Sequence, residues 1–199
     1  MVYPISRYFL KLIKGIFVKD VKGLNNLPKK GPFILAVNHA SYLDPALVYA
    51  VVLDKLNKKV HSIGAKELFK KKLWDLIYRV WWESIPLDGA VEKAINYLKH
   101  GEIVCIFPEG GRTATGKIGK PVGSGVAVMA LRTGAPIIPI LLKGTFDVWP
   151  RNRQLPNFEK AVEIKIGKQI TLNKIDGKLS KKILEKTLDR VMKAIKQLD

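Results

Sequence analysis

Three uninterrupted apolar runs set the architecture of this chain: residues 32–37 (Pro-Phe-Ile-Leu-Ala-Val), Ile103 to Phe107, and residues 136–142 (Pro-Ile-Ile-Pro-Ile-Leu-Leu). Each is too short for a helix and offers no polar residue to turn toward water. That is the pattern of a strand covered on both faces. Such strands require helices on either side, and the intervening segments supply them. Asp44-Pro45 reads as a helix start, with Asp44 as N-cap, running to about Leu56. Val91 to Lys99 and Val122 to Thr133 carry helical patterns, and Ser180 can cap a last helix through Leu184, Leu188, Val191 and Ile195. Briefer strands are expected at 60–63 and 84–87, and a half-exposed alternating one at 162–166. The prolines of the third run suggest unusual pairing at its start. Residues 21–31 and 146–160 read as turns and a long loop. The alternation predicts a single α/β domain over residues 23–199, with a central, mostly parallel mixed sheet flanked by helices.

Residues 1–22 precede it as an amphipathic helical segment. On a helix over 4–18, Phe9, Leu12, Ile13, Ile16 and Phe17 share one face while Arg7, Lys11 and Lys14 line another. A basic amphipathic helix suits a membrane interface; it equally suits packing on a core. Residues 66–82 are helical in pattern, with Leu73, Ile77, Val80 and Trp81 on one side and Lys66, Lys70, Lys71 and Lys72 nearby. They too fit an interface or a core. No apolar run is long enough for a membrane span, and Arg7, Lys11 and Lys14 interrupt any cleaved-signal core. The formal charge of +18 favours anionic partners: nucleic acid, acidic lipid or an acidic carrier protein. A basic nucleic-acid-binding domain is the non-enzyme alternative, though no helix-turn-helix, zinc or RNA-binding signature accompanies the charge. The single cysteine, Cys105, excludes an internal disulfide and reads as a core residue.

Two loops carry chemistry. In Asn38-His39-Ala40-Ser41-Tyr42-Leu43-Asp44-Pro45, an imidazole can take a proton near neutral pH while a carboxylate fixes its tautomer. The plainer alternative is a helix cap and a loop histidine. In Phe107-Pro108-Glu109-Gly110-Gly111-Arg112-Thr113, Arg112 offers a planar fork of donors for phosphate, and Gly110 and Gly111 let backbone N–H groups approach the same anion. The plainer alternative is a surface arginine in a turn. Both loops follow the carboxyl ends of buried strands, where ligands of such sheets bind, so one shared site is expected. Residues 111–117 imitate a P-loop, but Ile118 stands where Ser or Thr must meet magnesium, and Gly119 and Pro121 oppose the required helix. Gly123-Ser124-Gly125 lacks the spacing of a nucleophile elbow, and no cysteine–histidine cluster has zinc spacing. His61, in a strand-like run, and His100, ending a helix, are weaker candidates.

Asn38-His39 followed by Asp44 resembles the HxxxxD motif of the glycerolipid acyltransferases, the family that includes 1-acylglycerol-3-phosphate acyltransferases. Residues 107–113 resemble their FPEGTRS block, with Gly111 for Thr and Thr113 for Ser. Residues 136–140 resemble their VPxxPV block. The order agrees, and the likeness covers about residues 20–145. A further block, Gly-x-Ile-x-x-x-Arg, is poorly matched by residues 83–89: Gly89 stands where arginine often contacts the acceptor phosphate, and Lys66 is a candidate replacement cation. The resemblance implies acyl transfer from acyl-carrier protein or acyl-CoA to lysophosphatidate, forming phosphatidate. Glycerol-3-phosphate or another hydroxylated lipid is the alternative acceptor. It further implies His39 as base, Asp44 as its orienting partner, Arg112, Gly110, Gly111 and Lys66 as phosphate ligands, and Glu109 as a loop-ordering or substrate contact. No cofactor or metal is expected. An anionic phospholipid surface is the expected partner, with the protein held peripherally or monotopically at a cytoplasmic membrane face.

Overall fold

The computed structural model describes residues 6–64, 85–86 and 88–199. Its elements follow in chain order: α1 (Ser6–Phe17), β1 (Val18–Lys22), β2 (Phe33–Val37), α2 (Asp44–Leu56), β3 (Val60–Gly64), β4 (Ile85–Pro86), α3 (Ala90–Lys99), β5 (Ile103–Ile106), α4 (Gly125–Thr133), β6 (Ile137–Lys143), α5 (Thr145–Val148), β7 (Val162–Ile166) and α6 (Lys181–Lys196). The strands form one seven-stranded sheet in the order β1-β7-β6-β2-β5-β3-β4. Every pairing is parallel except β6 with β7, so β1 and β7 run against the other five.

The apolar runs occupy the middle. β2 lies between β5 and β6, and all five of its residues are buried. Phe33, Leu35 and Val37 face a core shared with α1 and α2, while Ile34 and Ala36 face a second core shared with α3, α4 and α6. Continuous apolarity is thus explained by two covered faces. On β7, Val162, Ile164 and Ile166 are buried and Glu163 and Lys165 half exposed, as its alternation requires. Pro139 sits inside β6 rather than at its start, and its carbonyl accepts the Gly167 N–H at 2.8 Å.

Three expectations change. β1 was expected as helix end and turn; instead Val18–Lys22 pairs with β7, so the amphipathic segment ends at Phe17, not at residue 22. A strand rich in charge is tolerated there because it is an edge. The face of α1 also divides. Leu10, Ile13 and Phe17 are buried in the α1–α2 core, and Lys14 pairs with Asp54 of α2 at 2.6 Å, while Tyr8, Phe9 and Leu12 stay exposed. The loop at 146–160 begins inside a short helix, α5. The helix expected over 66–82, with Lys66 and three tryptophans, lies outside the described residues. Among the described residues no helix is long and apolar enough to cross a membrane.

Candidate active site

β2 ends at Val37, and a side chain takes over the ladder. Asn38 donates from Nδ2 to the Leu142 carbonyl at 3.0 Å and accepts the Leu142 N–H on Oδ1 at 2.7 Å. It imitates one more residue of strand pairing with β6 and frees the main chain to turn away. His39 follows at once, half-buried at the carboxyl end of the central strand.

The imidazole is clamped. Its Nδ1 lies 2.8 Å from Asp44 Oδ2, and its ring stacks on Phe107, with centroids 4.1 Å apart. Asp44 is fully buried, and the same Oδ2 accepts the N–H groups of Ala40 at 2.7 Å and Ser41 at 2.8 Å. Asp44 is therefore not the N-cap of α2, a place held by Leu43. It sits one residue inside the helix and closes the preceding turn back onto the histidine. Three contacts on one buried oxygen hold the carboxylate still. With the hydrogen on Nδ1, the tautomer this pairing favours, Nε2 carries the lone pair. Nε2 has no protein partner among the described residues.

The second loop is bolted to the first. Glu109 is buried; its Oε1 accepts the His39 N–H at 2.8 Å and its Oε2 the Gly119 N–H at 2.7 Å. The Thr113 N–H donates to the His39 carbonyl at 2.8 Å. Parallel pairing of β2 with β5 brings both loops to the same end of the sheet, side by side. Arg112 lays its guanidinium over the Tyr42 ring, 3.8 Å from the centroid, a cation–π arrangement. Its Nη1 is buried and has no hydrogen-bond partner among the described residues. Gly110 behaves differently from the expectation. Its N–H donates to the Phe107 carbonyl at 3.0 Å, closing a turn, while the Gly111 N–H has no protein acceptor among the described residues. Gly110 adopts φ +68°, and an added Cβ would stand 3.1 Å from Val122 Cβ, so the turn requires glycine there. Lys66 lies outside the described residues.

Some neighbours were not singled out by sequence. Phe107 and Asn38 stand in the sequence only as members of the two motifs. Tyr42 and Trp149 carried no signal: the Trp149 carbonyl accepts from Ser41 Oγ at 2.8 Å and Tyr42 N–H at 3.2 Å, a contact between distant segments. The other histidines are elsewhere. His61, near the start of β3, is buried against the Tyr97 ring and paired through Nε2 with Glu102. His100 donates from Nδ1 to the Asn96 carbonyl at 2.8 Å at the end of α3. The imitation P-loop leads to no helix before Gly125. Cys105 is fully buried; that burial, with the Asp44 charge adding to it, pushes its thiol far above the ordinary range.

A family model described as Acyltransferase matches residues 18–143, which include both loops. The chain belongs to the acyltransferase family. A 1-acyl-sn-glycerol-3-phosphate acyltransferase of Bacillus subtilis is 30% identical over 125 residues, 60% of this chain and 59% of that one. The chloroplastic 1-acyl-sn-glycerol-3-phosphate acyltransferase BAT2 of Brassica napus is 28% identical over 153 residues, 69% of this chain and 41% of that one. The chain thus spans roughly half the length of these two curated relatives. The crystal structure of the 1-acyl-sn-glycerophosphate (LPA) acyltransferase PlsC from Thermotoga maritima superposes with a TM-score of 0.75 at 26% identity, covering 99% of this chain and 79% of that one. The acyltransferase match ends at Lys143, just before α5 and the Trp149 latch on Ser41 and Tyr42.

Proposed function

We propose that this acyltransferase moves a fatty acyl group from an acyl thioester, carried by acyl-carrier protein or coenzyme A, to the free hydroxyl of 1-acyl-sn-glycerol-3-phosphate. The observation that carries the reading is the clamped His39, with Nδ1 on a buried carboxylate and Nε2 without a protein partner, beside an arginine whose Nη1 is likewise unpaired. Nε2 takes the hydroxyl proton as the acceptor oxygen attacks the thioester carbonyl. The new C–O ester bond forms, the C–S bond breaks, and the thiolate leaves with the proton returned from the imidazolium. Asp44 orients the ring and stabilises the imidazolium. Base, hydroxyl and thioester suffice, so the reaction calls for no metal or prosthetic group.

Arg112 Nη1 and the Gly111 N–H hold the acceptor phosphate, and Lys66 adds a cation to it. Gly110 shapes the turn, and Glu109 fixes the two loops to each other. The acceptor and product are lipids, so the protein works peripherally or monotopically on an anionic membrane at its cytoplasmic face. The outward Tyr8, Phe9 and Leu12 of α1, among exposed Lys11 and Lys19, support that placement.

The test is an acceptor panel. Purified protein receives palmitoyl thioesters of both carriers with lysophosphatidate or glycerol-3-phosphate, and phosphatidate or lysophosphatidate is quantified. Phosphatidate is the expected product. His39→Ala should lower its rate by roughly 10²–10⁴-fold, the usual worth of a positioned base. Undiminished transfer by His39→Ala, or acylation of glycerol-3-phosphate in preference, would overturn the reading.

A further inference from the structure

Among the described residues, the exposed apolar side chains away from the site are concentrated. Besides Tyr8, Phe9 and Leu12 on α1, the loop at 151–160 presents Leu155 and Phe158, each 74% exposed. The two groups are joined: the Phe158 ring stacks on Phe17 at the end of α1, with centroids 5.9 Å apart. The other end of the loop is joined to the site. The Tyr42 ring packs against Trp149 at 5.4 Å, and the Tyr42 hydroxyl donates to the Arg151 carbonyl at 3.4 Å. The loop's conformation is internally braced. Trp149 Nε1 donates to the Arg153 carbonyl at 3.2 Å, and Arg153 Nη1 to the Asp147 carbonyl at 3.1 Å.

Charge indicates what covers it. Arg151, Arg153 and Lys160 are exposed around the two apolar tips, against a single carboxylate in the loop, Glu159, which accepts from Asn157. Apolar tips ringed by cations match an anionic bilayer, where acyl chains take the tips and headgroups take the cations. We propose that the 151–160 loop is a membrane-docking element, inserting Leu155 and Phe158 beside the outward side of α1 while Arg151, Arg153 and Lys160 meet anionic headgroups. The proposal rests on the reading of a lipid acceptor, and it gives that acceptor a route. Through Trp149 and Arg151, the docked loop ties the Tyr42–Arg112 edge of the site to the lipid surface.

The test uses the full chain with two variants, Leu155→Asp alone and Leu155→Asp combined with Phe158→Asp. The first leaves the Phe158–Phe17 stack untouched. Binding is measured to vesicles of phosphatidylcholine mixed with phosphatidylglycerol and to vesicles of phosphatidylcholine alone. A buried Leu or Phe side chain is worth about a tenfold or larger change in partition. Both variants should therefore raise the Kd for mixed vesicles about tenfold or more with unchanged turnover of a short-chain, monomeric lysophosphatidate, and Leu155→Asp should also leave the unfolding transition unchanged. Wild-type binding to mixed vesicles by Leu155→Asp overturns the proposal. So does a variant that keeps vesicle binding but loses self-association or binding to acyl-carrier protein, because the loop then serves a protein partner. If wild-type protein acylates no monomeric lysophosphatidate while the variants still lose vesicle binding, the acceptor assignment fails and the docking loop stands.

Discussion

His39 is held through its ring by Asp44 and Phe107 and through its backbone by Glu109 and Thr113. Glu109 is the busiest of these, because its two oxygens serve two backbone donors from different segments. In Glu109→Gln one oxygen becomes an NH₂ group that faces an N–H donor. A buried donor left without an acceptor costs about 1–3 kcal/mol. Urea unfolding should therefore show a loss of that order, and a variant as stable as wild type would remove Glu109 from this role. His39, Asp44, Glu109 and Arg112 were all legible in the sequence because each lies just past a buried strand, in a block of recognisable spacing. Tyr42 and Trp149 were not. The contact that makes Trp149 part of the site spans 108 positions from Ser41, and no local pattern records it. The N-cap expectation for Asp44 failed for a related reason. Asp-Pro is a sound helix start, but pattern does not show where a carboxylate turns when an imidazole and two amides compete for it.

The buried strands were readable because continuous apolarity leaves few other interpretations. β1 was not, since Val-Lys-Asp-Val-Lys has neither a continuous nor an alternating pattern, and its register shifts between Val18 and Asp20. What fixes β1 is the turn behind it. Gly23 has φ +76°, and a Cβ there would lie 2.0 Å from the Ile166 carbonyl oxygen, which also accepts from Asn26 Nδ2 at 2.8 Å. Gly23→Ala must strain the backbone and push the end of β7 away. The left-handed conformation alone costs about 1–3 kcal/mol for a non-glycine residue. A fall in stability of at least that order is expected by urea unfolding, with amide exchange of β1 and β7 accelerated beyond that of β2. Unchanged β1 exchange would show that the turn does not hold the edge. α1 illustrates a different limit. Its periodicity was plain, but a helix with apolar residues on more than one side serves two environments, and only packing assigns which residues face which.

The charge of +18 is spread along the chain, and among the described residues the lysines and arginines are largely on the surface. Contacts of that kind weaken as salt shortens the Debye length from about 10 Å at 0.1 M to about 3 Å at 1 M. Binding to phosphatidylglycerol-containing vesicles should accordingly weaken by at least about tenfold across that range, while a remnant due to the apolar side chains persists. Salt-independent binding, measured by vesicle sedimentation, would mean that the charge plays no part in docking. Composition could reveal the surplus but not its use, because lipid, nucleic acid and acidic protein all satisfy it; the family match and the two loops narrowed the choice.

The order of strands in the sheet has a consequence for synthesis. β2 is flanked by β5 and β6, and its last neighbour, Ile137–Lys143, is made about a hundred residues after Phe33–Val37. The central strand therefore leaves the ribosome long before either of its edges can be paired, in an arrangement where non-local pairing is slow. α1 and its exposed Tyr8, Phe9 and Leu12 emerge earlier still. From the synthesis of Val37 until Ile103 is made, this fully buried strand and the outward apolar side of α1 are both present, and the strands that will flank the former do not yet exist.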